Sequence, residues 1–256
     1  MNIPGFITTA FEESGSQVNF FMRFWRNTFR KGFEWNEFVR QCYLIGYKSI
    51  GIVVLTGFIL GFVLTLQSLP TLKVFGAQNY VPSMVTISTM REIGPVIIGL
   101  ICAGKIASSI GAELGSMNVT EQIDAMEVSG ANPVQYLVVT RILACTIMVP
   151  ILTLIADAVA MGGGFFGVNL SMDMSAQLYF TKSFNTVVFG DFFPALIKTF
   201  LFGFAIGFIG CYKGYHTSHG TESVGVAANT AVVTASIWII LIDAITVQIT
   251  DAFVYN

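Results

Sequence analysis

Charge is what this sequence has least of. Asp, Glu, Lys and Arg make up 11% of its 256 residues, against roughly 25% in a soluble domain whose surface must be wet. The apolar set supplies 54% and mean hydropathy is +0.71. Thirteen basic and 15 acidic side chains cannot cover a 27.8 kDa particle in water. This excludes an ordinary cytosolic globule and a disordered chain, and the net charge of -2 excludes a basic-patch nucleic-acid binder. Histidine is nearly absent, with two residues. The four cysteines (Cys42, Cys102, Cys145 and Cys211) lie far apart in or beside apolar runs. No zinc or redox spacing joins them, so they read as buried free thiols and no metal is expected. The first dozen residues contain Pro4, Glu12 and Glu13 and no apolar leader core, so the chain is expected to enter a membrane through its own spans.

What is abundant is apolar sequence in long runs. Five stretches approach the length needed to cross a hydrocarbon core of about 30 Å: residues 49–69, 81–106, 142–168, 194–212 and 224–249. Ahead of them, Gln17 to Arg40 has another pattern. On a helical wheel at about 100° per residue, Phe20, Phe21, Phe24, Trp25, Phe29 and Phe33 share one arc, with Arg23, Arg26 and Arg30 opposite. Such a helix lies in the headgroup plane or packs on a partner protein. The expected fold is therefore an all-α integral membrane protein: an N-terminal interfacial amphipathic helix, five transmembrane helices, and a short cytoplasmic helix between spans 2 and 3.

Orientation follows from the basic residues near the span ends. With the N-terminus inside, the cytoplasmic side collects Arg23, Arg26, Arg30, Lys31, Arg40, Lys48, Lys105, Arg141 and Lys213, and the other side Lys73, Lys182 and Lys198. The C-terminus is then outside. No repeat relates two halves of the chain, which argues against an inverted-repeat carrier and suggests that two copies enclose a path.

The segment Asn118–Gly130 connects spans 2 and 3. Asn118 reads as an N-cap with Glu121 at N3, and Gly130 and Pro133 as stop signals. Glu121, Asp124 and Glu127 share one face, and Val119, Ile123 and Met126 another. The segment reads as a solvated connector or as a docking helix for a partner's cleft. Within span 2, Arg91 and Glu92 each need a partner or water, because a charge at mid-membrane costs about 2.5–3.5 kcal/mol on insertion scales. Pro95 also withholds the amide that the Arg91 carbonyl would accept from. The pair serves either a structural ion pair or a polar spot in a cavity. Asp157 and Asp243 read as lone carboxylates toward the outer ends of spans 3 and 5, able to reach the interface or relay protons.

Stripes of small residues (Ala103, Ala107, Gly111 and Gly115; Gly57 and Gly61; Gly203 and Gly207) read as helix-packing surfaces. Three motifs fail their context. Gly99 to Ile106 nearly spells a phosphate loop but puts Ile106 where a Mg²⁺-binding hydroxyl belongs, and no strand precedes it. His216, His219 and Glu222 sit in a Gly-flanked turn with no fourth ligand. The glycosylation patterns at Asn118 and Asn169 are short and common.

The run Glu113–Gly130 resembles the signature of the MlaE/YrbE family of ABC-transporter permeases. The likeness extends to Arg91-Glu-Ile-Gly-Pro95, Ala103-Gly-Lys105, Asn132-Pro133, Tyr136 to Arg141, Cys211 to Tyr215 and Glu222 to Gly225. It covers roughly residues 40–250, with residues 1–48 as an N-terminal cytoplasmic segment and 49–256 as a five-span permease domain.

The resemblance implies a homodimeric core in a bacterial inner membrane and two cytoplasmic ATPases that hold ATP and Mg²⁺. On the far side it implies an MCE-domain lipid-binding protein, with phospholipid as cargo. No cofactor is expected in this chain, which is not itself an enzyme. The resemblance makes Val119–Ser129 the coupling helix, with Glu121, Gln122, Asp124 and Glu127 toward the ATPase, and places Gln67, Arg91 and Glu92 at a lipid cavity lined by spans 1, 2 and 5. Two other readings compete. One is an ion-coupled secondary carrier using Arg91, Glu92 and Asp157, and the other an intramembrane enzyme using His216, His219 and Glu222.

Overall fold

The computed structural model describes residues 3–30, 32–218 and 220–254, with side chains placed from residue 15 to 252. Among them there is no strand. Five helical runs are long and apolar enough to cross a membrane: span 1 Trp35–Val74, span 2 Gln78–Val119, span 3 Val134–Asn169, span 4 Phe189–Tyr215 and span 5 Thr221–Ala252. The chain folds this way because a backbone in hydrocarbon must satisfy its own hydrogen bonds, and an apolar helix does so within one segment.

Cross-links at the two ends fix the alternation. On one side the turn after span 1 meets the loop after span 3: Lys73 Nζ donates to the Ser171 carbonyl at 3.1 Å, and Lys182 Nζ to that of Asn79 at 3.1 Å. On the other side, called the N-terminal side below, Asn132 Nδ2 donates to Asn27 Oδ1 at 2.6 Å and Asn118 Nδ2 to the Thr217 carbonyl at 2.8 Å.

The N-terminal helix covers Ile3–Thr28 and ends there. The amphipathic stretch is thus not one helix from Gln17 to Arg40: Gly32, at φ +97°, breaks it, and Trp35–Arg40 open the helical run of span 1. A positive φ suits glycine because it has no Cβ to clash. The aromatic arc also divides. Phe20 and Phe24 are buried against span 4, where Phe20 meets the rings of Phe208, Tyr212, Tyr215 and His216 edge-on or tilted, while Trp25 and Phe29 stay exposed.

Small residues set how closely the spans approach. A Cβ on Gly57 would lie 2.6 Å from the Ala156 carbonyl oxygen, and one on Gly61 would strike that of Ala160, so spans 1 and 3 touch backbone to backbone. Gly207 meets span 3 at Ile142 and Cys145, and Gly111 meets span 5 at Ala227 and Ala231. All four cysteines are free, three of them buried.

Over its most apolar window span 5 is only 17% buried, against 50% for spans 2, 3 and 4. Its face of Val233, Ile237, Leu241 and Ile245 is open. The loop 169–193 also contains a helix, Ala176–Thr186, that its length alone did not reveal. Ser175 Oγ caps it by accepting from the Leu178 amide. Tyr179 anchors it, fully buried against Phe165, and burial pushes the phenol up to about 12, so it anchors as a neutral group.

Candidate functional site

Arg91 and Glu92 lie in a π-helical turn, Thr89–Ile93, just before Pro95. The wider turn absorbs the hydrogen bond that the proline cannot give, and such turns gather at functional positions. Neighbours on a helix point about 100° apart, and these two find separate partners. Arg91 Nε lies 3.4 Å from Asp191 Oδ1 at the start of span 4. Glu92 Oε2 accepts from Lys198 Nζ of span 4 at 2.7 Å, and Lys198 also reaches Asp243 Oδ1 of span 5 at 3.0 Å. Lys198 is almost wholly buried, so the network ties spans 2, 4 and 5 together around a desolvated ammonium. The space left among Arg91, Glu92, Asp191, Lys198 and Thr246 is about 20 Å³, room for a water and little more. In this conformation the charges are closed on one another.

Two readings of this region are corrected. Lys198, counted above only as a basic residue near a span end, lies buried within the helix Phe189–Tyr215 and is a partner in the network. Asp243 is not a lone carboxylate at the interface, because Lys198 holds it. A lysine within residues 194–212 was the signal that could have found the partner, since a cation inside an apolar span nearly always pairs.

Asp157 does not reach the interface either. Its residue is only 6% exposed and its Oδ1 has no hydrogen-bond partner among the described residues. Gly94 makes room for it, because a Cβ there would strike that oxygen. The gap beside it, lined by Met90, Pro95, Thr153 and Thr199, measures about 10 Å³. Gln67 lies on the exposed face of span 1, and no hydrogen bond or ion pair among the described residues joins it to the Arg91–Glu92 network.

On the N-terminal side the connector helix is Gln122–Val128, shorter than the expected Val119–Ser129. Asn118 is not its N-cap. It belongs to the end of span 2 and spends its amide on Thr217, while Glu121 turns the chain at φ 56°. The stop signals do act. Gly130, at φ +82°, lets its own amide reach the Glu127 carbonyl and that of Ala131 reach Met126, a Schellman closure. Ile123 is buried and Met126 half-buried against the core, so Glu121, Gln122, Asp124 and Glu127 are all left exposed.

The connector is braced to the bundle. Arg141, 2% exposed, binds Glu113 at 2.8 Å and joins span 3 to the stem of span 2. Glu37 is a further buried node that the sequence reading missed. It accepts from Gln41 Nε2 at 2.7 Å and from the Tyr136 hydroxyl at 3.3 Å, linking spans 1 and 3. His216 packs edge-on or tilted among the rings of Phe20, Tyr212 and Tyr215, and His219 lies outside the described residues. Among the described residues no cluster of three or more His, Cys, Asp or Glu is placed to hold a metal.

Comparison with known proteins agrees with this architecture. The family described as Permease MlaE matches residues 38–249. A probable ABC transporter permease protein of Rickettsia prowazekii is 40% identical over 203 residues, covering 79% of this chain and 78% of the relative. One from Synechocystis is 34% identical over 197 residues, 77% and 75% of the two chains. One from Pyropia yezoensis is 32% identical over 208 residues, 81% and 79% of the two chains. Five apolar spans, a braced connector and matches over most of the chain agree: it is a multi-pass membrane protein of the MlaE permease family, an ABC-transporter permease.

Proposed function

We propose that the chain is the membrane subunit of an ATP-driven lipid transporter. Two copies form its core, an ATPase pair docks on the connector helices, and an MCE-domain lipid-binding protein receives or delivers phospholipid on the opposite side. Membership in an ABC permease family already implies an ATPase partner. The observation that carries the docking step is the connector: a seven-residue helix seated by Ile123, closed at Gly130, with its polar residues turned outward. ATP and Mg²⁺ belong to the partner. In this reading the N-terminal side is the cytoplasmic face of a bacterial inner membrane and the C-terminus is periplasmic.

In this reading force travels through the braces. Closure of the ATPases pushes the connector, and span 2 follows because only Thr120 and Glu121 separate Val119 from the connector's first turn. Asn118–Thr217 passes the motion to the turn between spans 4 and 5, and Glu113–Arg141 passes it to span 3. Farther along span 2, Arg91 and Glu92 would shift against Asp191, Lys198 and Asp243 and open polar groups toward a cavity that also includes Gln67. The open aliphatic face of span 5 suits burial against a second copy.

Charge reversal at Glu121 and Asp124 tests this reading. The double variant should lose ATPase co-purification and lipid transfer while its thermal unfolding is unchanged. Survival of both activities would sink the docking role.

A further inference from the structure

The N-terminal helix has two faces with different contacts. Val18, Met22 and Trp25 of the helix and Phe29 just past it recur at helical spacing, and each is more than half exposed. Arg26 and Arg30, also exposed, flank that stripe. The chain passes into span 1 at Trp35, so the stripe stands at the level where a span begins. Asn27 is on the opposite face, about half a turn away at roughly 100° per residue. There the helix is tied to the residues that follow the connector.

The tie is made of side-chain amides. Asn132 Nδ2 donates to Asn27 Oδ1 at 2.6 Å, and Asn132 Oδ1 accepts from the Gln135 backbone amide at 3.3 Å. Gln135 Nε2 donates to the Gly32 carbonyl at 3.0 Å and reaches that of Arg30 at 3.5 Å. Both carbonyls lie past the end of the helix Ile3–Thr28, outside its own hydrogen-bond ladder. Gln135 is 8% exposed, so the joint is a buried polar network and holds its geometry. On the connector side there is no slack, because Ala131, whose amide closes the connector, immediately precedes Asn132. The Tyr215 hydroxyl adds a charge link, since it feels Glu127 and Asp124 of the connector together with Arg23 of the N-terminal helix.

We infer that Asn132 and Gln135 are positioning residues that join the N-terminal helix and the connector into one body, and that an anionic lipid surface holds this body in place. The stripe of Val18, Met22, Trp25 and Phe29 enters the leaflet on the N-terminal side, and Arg26 and Arg30 bind its anionic headgroups. The basic flank and the nearby start of span 1 favour a lipid surface over a protein cleft as the covering of the stripe. Through the joint, the charge of the leaflet regulates how firmly the connector is held. The inference concerns the connector's support and does not depend on what docks there or on what is transported.

The test uses the full chain without an ATPase, in nanodiscs of phosphatidylcholine alone or mixed with phosphatidylglycerol, read by amide exchange. Phosphatidylglycerol should slow exchange across residues 122–131 about fivefold, the factor supplied by one basic residue's attraction to an anionic surface. Arg26→Gln/Arg30→Gln should abolish the difference between the two lipids. Gln135→Leu should abolish it at 122–131 while exchange across residues 18–29 stays lipid-dependent, a separation that general loss of structure does not produce. Asn27→Ala removes the clasp from a half-buried site and should lessen the difference at 122–131, which keeps the test decisive if Gln135→Leu does not fold. Equal exchange in the two lipids, or an undiminished difference at 122–131 in the Asn27 or Gln135 variant, would overturn the joint. A difference that survives Arg26→Gln/Arg30→Gln would overturn the anionic surface as its cause.

Discussion

Lys198 of span 4 holds Glu92 of span 2 at 2.7 Å and is itself almost wholly buried, so one ammonium joins two spans and also reaches Asp243 of a third. Removing it strands two carboxylates at once. Lys198→Met should destabilise the protein by about 2–3 kcal/mol, below the full penalty for breaking a buried pair because Glu92 is 45% exposed. Adding Glu92→Gln and Asp243→Asn should recover most of that loss. Thermal unfolding in one detergent checks both, and an additive triple variant would show that the three groups do not act as a unit.

Asp157 gives a sharper separation of mechanisms. Its side chain is buried with Oδ1 unpartnered, and Asn has nearly the same shape. Asp157→Asn should change stability by no more than about 1 kcal/mol and should leave ATP-driven transfer intact. An ion-coupled carrier would lose transport with this variant. Transfer by the reconstituted complex, with and without an imposed proton gradient, decides it.

Two glycines predict opposite outcomes. At Gly61 any side chain meets the Ala160 backbone, so Gly61→Val should cost about 3 kcal/mol and push spans 1 and 3 apart. A Cβ on Gly104 would find nothing within 4 Å, so Gly104→Ala should be neutral or mildly stabilising. Yield and unfolding temperature of the two purified variants give the comparison.

Glu121 pays a conformational cost at φ 56°, a region that disfavours L side chains by about 1–2 kcal/mol. Glu121→Gly should therefore keep or strengthen the connector while deleting a charge. Slower amide exchange across residues 122–128 together with weaker ATPase binding would show that the strained carboxylate is there for docking. Faster exchange would show that the side chain supports the turn.

Much of this was legible in the sequence, and unevenly so. Span number and the stop at Gly130 follow from apolar length and one residue's backbone freedom, which are local properties. The small-residue stripes also read correctly, because close helix approach needs no knowledge of the partner. What escaped were pairings across the bundle. Asp243 looked alone because its partner lies 45 residues earlier in the chain. Asn118 looked like a cap because its amide's real acceptor, Thr217, is 99 residues away. The Ser175-capped helix was hidden by the loop around it, although a cap residue followed by Tyr179 and Phe180 was a usable signal.

The π-helical turns have a further consequence for span 2, which contains two of them, Thr89–Ile93 and Ala103–Ala107. Each accommodates one extra residue and rotates everything before it by about 100° relative to everything after it. The span is therefore three short helices of different phase, and no single wheel describes it. Deleting one residue within either turn would restore an ordinary helix without shortening the span by more than about 1.5 Å. It would swing Arg91 and Glu92, or Lys105, onto another face. In this protein the direction in which a charge points is set by residue count as much as by residue type.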